Sequence, residues 1–213
     1  MGTRGEIYVR NPTSTVELWR HYDTYPDYMV PYFKLFAQYA AWCVGNQRHW
    51  LTYPEDVAAM LIAFDYEIHV GDMFGPSPPD MRPRGRINDF EKVWILDIPA
   101  LNEVEDIVWR VRGFDHRYGS DEKAMRNAIR KGQDRLLSKY LKKTVDFEIR
   151  PENSGGCKLC GYPGPLIITE NPAMCVYCAL RLRRSDDFVR AEIQRVFRVL
   201  PLISDKPVRK KEI

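Results

Sequence analysis

Four cysteines in two Cys-x2-Cys pairs are the residues of this chain best suited to chemistry: Cys157, Cys160, Cys175 and Cys178. Fourteen residues separate the pairs, enough for a small hairpin that brings the four sulfurs to one point. Four thiolates at about 2.3 Å complete a tetrahedron around Zn²⁺ and leave no open position for water. The spacing therefore predicts one structural zinc ion. Redox chemistry and disulfide formation are the alternatives.

Basic and aromatic side chains flank the two cysteine pairs. The cations are Lys158, Arg181, Arg183 and Arg184, and the rings are Tyr162 and Tyr177. Rings that stack on bases beside cations that meet phosphates are typical of nucleic-acid contact. Two alternatives remain open: the segment docks a protein, or the cations only offset the negative charge of a four-thiolate zinc centre.

A second basic segment lies at residues 119–143, which hold 8 Lys+Arg against 3 Asp+Glu. The apolar spacing predicts one helix over 120–143, with Lys123, Arg126 and Arg130 off its apolar stripe. Further along the same helix, Lys131, Arg135, Lys139 and Lys142 also fall off the stripe. Such a face could follow a phosphate backbone, although an ordinary solvated face with charges that suit the helix dipole is the alternative.

A catalytic site is less well supported. His21 and Asp23 could act as an acid–base pair, but these residue types at a strand end more often fix a turn or cap a helix. The sequence contains no Gly-rich phosphate loop and no HExxH or GxSxG motif. We therefore predict a non-enzymatic binding or regulatory protein that contacts nucleic acid or a nucleoprotein complex. The alternatives are a nucleic-acid-processing enzyme using His21 and Asp23, and a protein-interaction module with purely structural zinc.

Composition narrows the cellular setting. The chain has no apolar run of about 18 residues and no apolar stretch near its first residue, so we expect neither a membrane span nor a secretory signal. Five cysteines, four of them in close pairs, fit a reducing compartment such as the cytoplasm. The net charge of +3 hides an asymmetry, because residues 1–118 hold 12 Lys+Arg against 17 Asp+Glu.

The remaining patterns predict an α+β fold, a small and mostly antiparallel sheet with helices on one face. Alternation predicts a hairpin over 5–10 and 15–22, and strands over 66–70, 90–98, 106–112 and 144–150. Helical spacing and caps predict helices ending at Val44 and near Phe64, and a last helix over 180–200. We expect an N-terminal domain at 1–118, a connecting basic helix and strand at 119–150, and a zinc module with its terminal helix at 151–213.

Two resemblances add to these patterns. Residues 20–26 read Arg-His-Tyr-Asp-Thr-Tyr-Pro and follow a predicted strand, and residues 90–94 read Phe-Glu-Lys-Val-Trp. Together they resemble an uncharacterised module of phage and prokaryotic proteins whose motif usually runs Arg-His-x-Asp-Gly-Tyr-Pro, with Thr24 here in place of Gly. This resemblance spans roughly residues 5–112 and implies a fold and a boundary, but no mechanism. The four-cysteine segment resembles a zinc ribbon.

Overall fold

The computed structural model describes residues 3–21, 24–69, 81–83, 90–100, 106–152, 166–168 and 174–175. Its centre is a six-stranded mixed sheet in the order β3-β2-β1-β4-β5-β6. The strands are β1 Gly5–Arg10, β2 Thr15–Arg20, β3 Met81–Pro83, β4 Lys92–Asp97, β5 Trp109–His116 and β6 Leu141–Ile149. The helices are α1 Pro26–Val44, α2 Pro54–His69, α3 Glu122–Arg130 and α4 Asp134–Leu137. The predicted α+β class is confirmed.

β1 lies inside the sheet and all six of its residues are buried. It pairs with β2 as an antiparallel hairpin and with β4 in parallel. The other three neighbouring pairs are antiparallel, as predicted. Because strand side chains alternate between faces, Ile7 and Val9 point to one side of the sheet while Glu6, Tyr8 and Arg10 point to the other.

The first face of the sheet is covered by α1 and α2, which form the larger core. α1 ends at Val44 with Gly45 directly after it, as predicted, and it begins at Pro26. Trp94 and Trp109 are buried in this core. Their indole N–H groups donate to the backbone oxygens of Thr24, just before α1, and Leu51, between α1 and α2. The predicted strand at 66–70 is wrong, because α2 continues to His69. Five residues are too few to separate a strand period from a helical one.

The second face is covered by α3 and α4, so the prediction of helices on one face is wrong. Tyr8, Ile95 and Phe114 of the sheet pack there against Met125 and Ile129 of α3. Charged residues at alternate positions of β1, such as Glu6 and Arg10, are typical of a strand with one solvent-exposed face, and this pattern favours helices on the other face alone. Those charged residues are instead buried beneath the second helix layer.

The predicted single helix over 120–143 is also wrong. α3 ends at Arg130, and Gly132 adopts a left-handed φ of 63° that turns the chain into the short α4. β6 then begins at Leu141, and its pairing with β5 shifts register between Gly113 and Phe114. Leu141 therefore packs toward α3, while Val145 packs on the α1–α2 side. The four-residue spacing of Leu137 and Leu141 mimics a helix, although two different elements supply the two side chains.

The predicted boundary after residue 118 falls between β5 and β6, which are hydrogen-bonded neighbours in one sheet. Farther along the chain, β7 Leu166–Ile168 and β8 Met174–Cys175 form an antiparallel pair, in agreement with the hairpin predicted between the cysteine pairs. The predicted last helix over 180–200 lies outside the described residues. None of the helices in the described ranges has the length and apolar character to cross a lipid bilayer.

Candidate functional site

Arg126, one of the three predicted nucleic-acid contacts on α3, points into the protein. Its guanidinium binds the carboxylate of Glu6 on β1, with Nη2 2.8 Å and Nε 3.2 Å from Oε1. It also pairs with Glu122 at 3.0 Å and lies 5.3 Å from the centroid of the Phe90 ring. Only 11% of the Arg126 side chain is exposed. Its position identifies Arg126 as an anchor between α3 and the sheet.

The carboxylate that receives Arg126 is itself buried, with Glu6 only 1% exposed. The Tyr8 hydroxyl donates a hydrogen bond of 2.5 Å to Glu6 Oε2. Burial, followed by the neighbouring Glu6 charge, raises the pKa of Tyr8 well above its usual range, so the phenol stays protonated and continues to donate. Arg130, the second predicted contact, forms an ion pair with Glu17 on β2. Both arginines thus bind carboxylates of the sheet.

A ring of four alternating charges secures the turn between α3 and α4. Arg10 donates to Asp97 at 2.6 Å and to Asp134 at 2.7 Å, and Arg112 donates to the same two carboxylates at 2.9 Å and 2.8 Å. Arg10 also donates to the backbone oxygen of Ile129 at 2.6 Å, near the carboxyl end of α3. Burial opposes ionisation of Asp134, but hydrogen bonds and charge from the two arginines outweigh it and lower its pKa. These arginines are engaged within the fold.

The other cations of this layer point to solvent. Lys123, Lys131, Arg135, Lys139 and Lys142 are all exposed. In the described part of the chain, none of these five has a carboxylate oxygen within 4.0 Å. They lie along α3, the following turn, α4 and the start of β6. We call these five residues the outer cations. The structure thus separates Lys123 from the two arginines that were predicted beside it.

Tyr118, which sequence analysis did not single out, lies in the tight turn that leads from β5 to α3. It is fully exposed, whereas the next most exposed large hydrophobic residue in the described ranges, Tyr25, is 41% exposed. The adjoining Arg117 is exposed and has no carboxylate partner in the same ranges. The Tyr-Gly pair before Ser120 indicates a turn in the sequence, but the exposure of the ring depends on the folded neighbours.

The structure describes only one member of the predicted acid–base pair, His21. The His21 ring lies 5.0 Å from the ring of Trp19, and Asp23 lies outside the described residues. Arg20, directly before His21, turns inward to form an ion pair with Asp65, and both side chains are completely buried. The Tyr32 hydroxyl donates to Asp65 at 3.0 Å, and burial, then the Asp65 charge, raises the pKa of Tyr32. Sequence analysis missed this buried charge pair, which joins β2 to α2.

Of the four predicted zinc ligands, only Cys175 lies within the described residues, on β8 opposite Leu166. Cys157, Cys160 and Cys178 lie outside them, as do the predicted contacts Lys158, Arg181, Arg183 and Arg184. Among the residues that the structure does describe, no three His, Cys, Asp or Glu side chains are grouped to hold a metal. The zinc site therefore stays a prediction from the cysteine spacing.

Comparisons of the chain with protein-family models, with curated proteins and with solved structures give no match. The resemblances of residues 5–112 and of the four-cysteine segment stay predictions. Function is therefore inferred from the chain's own residues.

Proposed function

We propose that this protein is a zinc-stabilised, non-enzymatic binding protein with a regulatory role, and that its partner is nucleic acid. The observation that supports the proposal is the set of five outer cations, which point to solvent without carboxylate partners in the described part of the chain. Arg126 and Arg130, in contrast, hold α3 on the sheet and contribute to the interface by positioning it.

The chemistry of the outer cations suits a phosphate backbone. Four of the five are lysines, whose flexible ammonium groups act as point charges and bind phosphate without a fixed partner geometry. A nucleic acid that meets them releases its condensed counterions, and this release supplies most of the sequence-independent affinity. Residues 1–118 hold 17 acidic against 12 basic residues, and this acidic surplus favours contact of a polyanion with the basic segments that follow it over contact with most of the N-terminal part.

The predicted zinc module contributes a second basic segment. Two Cys-x2-Cys pairs support a closed tetrathiolate site, and the β7–β8 pair supplies the hairpin that such a module needs. A closed site has a structural role, because metal binding folds a segment that is too small to bury its own core. The proposal includes Lys158, Arg181, Arg183 and Arg184 as contacts beside the metal.

Fluorescence anisotropy with labelled oligonucleotides tests the nucleic-acid partner. The wild-type chain should bind in about 50 mM salt and lose affinity steeply toward about 200 mM. The triple variant Lys131→Gln/Arg135→Gln/Lys139→Gln should bind more weakly, and the slope of log K against log salt should become flatter by about 2 to 3.

A matched control removes the same net charge on the other side of the sheet. The variant Asn46→Asp/Ala59→Glu/Ala63→Glu changes three exposed residues in the α1–α2 layer. It should keep the wild-type slope, because a change in net charge alone acts weakly at a distance beyond the Debye length, about 10 Å in 0.1 M salt. No binding by the wild-type chain at low salt, or equal losses in both variants, would contradict the proposal.

Metal analysis tests the zinc module separately. The protein purified under reducing conditions should contain one equivalent of zinc, and Cys175→Ser should lower that content. A chelator should unfold the module while leaving the six-stranded sheet folded, as followed by the near-ultraviolet signal of Trp94 and Trp109, which are buried in the core. Protein without metal, and with disulfides inside each cysteine pair, would rule the site out.

A further inference from the structure

The turn that carries Tyr118 presents an aromatic ring on a fixed backbone. Residues 117–120 form a β-turn in which Ser120 N donates to Arg117 O at 3.1 Å. Gly119, at the third position, has a left-handed φ of 78°, which glycine adopts without strain. Tyr118 occupies the second position and makes no ring contact within the described ranges. A single exposed aromatic residue is ordinary on a protein surface, so its surroundings must decide whether it has a role.

Hydrogen bonds on both sides hold this turn in place. Arg117 N donates to Tyr140 O at 3.0 Å, which ties the turn to the start of β6. The Ser120 hydroxyl and the His116 Nε2 atom lie 3.0 Å apart, and Asp121 accepts from Ala124 N at 3.0 Å as the N-cap of α3. Because the backbone is fixed, placing the ring against a ligand restricts only two side-chain torsions.

Three exposed cations lie in or next to the backbone segments that this turn joins. The bond from Arg117 N to Tyr140 O brings the turn beside Lys139 and Lys142, two of the outer cations. Arg117 is a third exposed cation without a carboxylate partner in the described part of the chain. Of the nearby acids, Asp115 is paired with Lys92 at 2.5 Å, Glu122 is paired with Arg126 at 3.0 Å, and Asp121 accepts a hydrogen bond as the N-cap of α3. Proteins that bind single-stranded nucleic acids combine exposed aromatic rings with unpaired cations, because bases stack on the rings while phosphates bind the cations.

We propose that Tyr118 stacks on an unpaired base while Arg117, Lys139 and Lys142 bind the adjoining phosphates, so that the partner is a single-stranded nucleic acid. This inference rests on the proposed function and deepens it by naming the class of strand. A duplex covers both faces of its internal bases and offers this ring nothing to stack on, whereas every base of a single strand has an accessible face. The cations alone would not distinguish the two.

The experiment compares a single strand of about 20 nucleotides, longer than a typical single-domain site, with a duplex of the same length. Tyr118→Ala should weaken binding of the single strand by roughly 5- to 100-fold, from the loss of one stacked base, and change duplex binding little. Tyr118→Trp should bind the single strand with about the wild-type affinity, because the larger ring also stacks on a base. Tyr53→Ala, which removes a partly exposed tyrosine before α2, should have no effect on either ligand.

The possible outcomes separate the two proposals. If the wild-type chain binds neither ligand at low salt, the proposed function fails and this inference fails with it. If the wild-type chain binds but Tyr118→Ala binds the single strand equally well, or loses affinity for both ligands alike, only the stacking role is overturned. Because the ring is fully exposed, all Tyr118 variants should retain the wild-type Tm, and a thermal melt verifies that any lost binding is not lost folding.

Discussion

The buried pair between Arg126 and Glu6 offers a direct test of how the α3–α4 layer is attached. Arg126→Met retains much of the apolar stem of the side chain and removes the guanidinium, which binds a carboxylate that is 1% exposed. Glu6 would keep its hydrogen bond from Tyr8 but lose the ion pair with Arg126. The substitution is costly because a buried carboxylate loses this ion pair and stays poorly solvated.

Removing one partner of a buried ion pair lowers the free energy of unfolding by about 3 to 5 kcal/mol, because the remaining charge stays in a poorly solvated site. Domains of ordinary stability unfold with about 5 to 15 kcal/mol, so the loss is a large part of the total. For a chain of this size each kcal/mol shifts Tm by about 2 to 4 °C. We therefore expect Arg126→Met to lower Tm by roughly 10 °C.

Unfolding in urea measures the free energy of unfolding of the wild-type chain, Arg126→Met and two further variants. The double variant Glu6→Gln/Arg126→Met should recover part of the loss, because no buried charge remains and the amide oxygen can still accept from Tyr8. Lys123→Met is the matched control on the same helix, since Lys123 is exposed and unpaired in the described ranges, and it should change stability by less than about 0.5 kcal/mol. If Arg126→Met behaves like Lys123→Met, the assignment of Arg126 as an anchor is refuted.

Two further predictions concern the turn after α3 and an ion pair between β5 and β6. Gly132→Ala should destabilise the protein by about 1 to 2 kcal/mol in urea, because the φ of 63° disfavours a side chain; in a continuous helix the same change would stabilise it. Arg110 donates to Asp146 through Nε and Nη2, both at 2.8 Å, and holds the pKa of that carboxyl below its usual range. Stability from this pair is present above about pH 4 and is lost as the pH falls through the lower, folded-state pKa. Arg110→Gln should therefore make Tm less sensitive to acid below pH 4 than in the wild type, and unchanged sensitivity would contradict the assignment.

The sequence predicted those features that neighbouring residues determine, and it failed for features that depend on contacts between distant parts of the chain. The end of α1 was predictable because Gly45, directly after its last residue, is a local signal for the end of a helix. The β1–β2 hairpin was predictable for the same reason, since turn residues separate two alternating segments. The end of α3 was not, because Leu137 and Leu141 fit helical spacing while belonging to α4 and β6. The exposure of Tyr118 was not predictable either, because it depends on which parts of the folded chain lie near its turn.

The candidate site shows the same division in the roles of its cations. Counting Lys and Arg together over 119–143 gives one basic surface, but the side chains separate by direction and by chemistry. Arginines form the ion pairs between this layer and the sheet. Arg126 and the half-exposed Arg130 of α3 pair with carboxylates on β1 and β2, and Arg10 and Arg112 of the sheet pair with Asp134.

Four of the five outer cations are lysines. A planar guanidinium satisfies a buried carboxylate through two parallel bonds, whereas a strongly hydrated ammonium resists burial and stays in water. The arginines can therefore hold the layer on the sheet while the lysines remain available to a phosphate backbone. Because buried pairs are screened much less than exposed charges, salt that weakens a nucleic-acid contact should leave the buried Arg126–Glu6 pair intact.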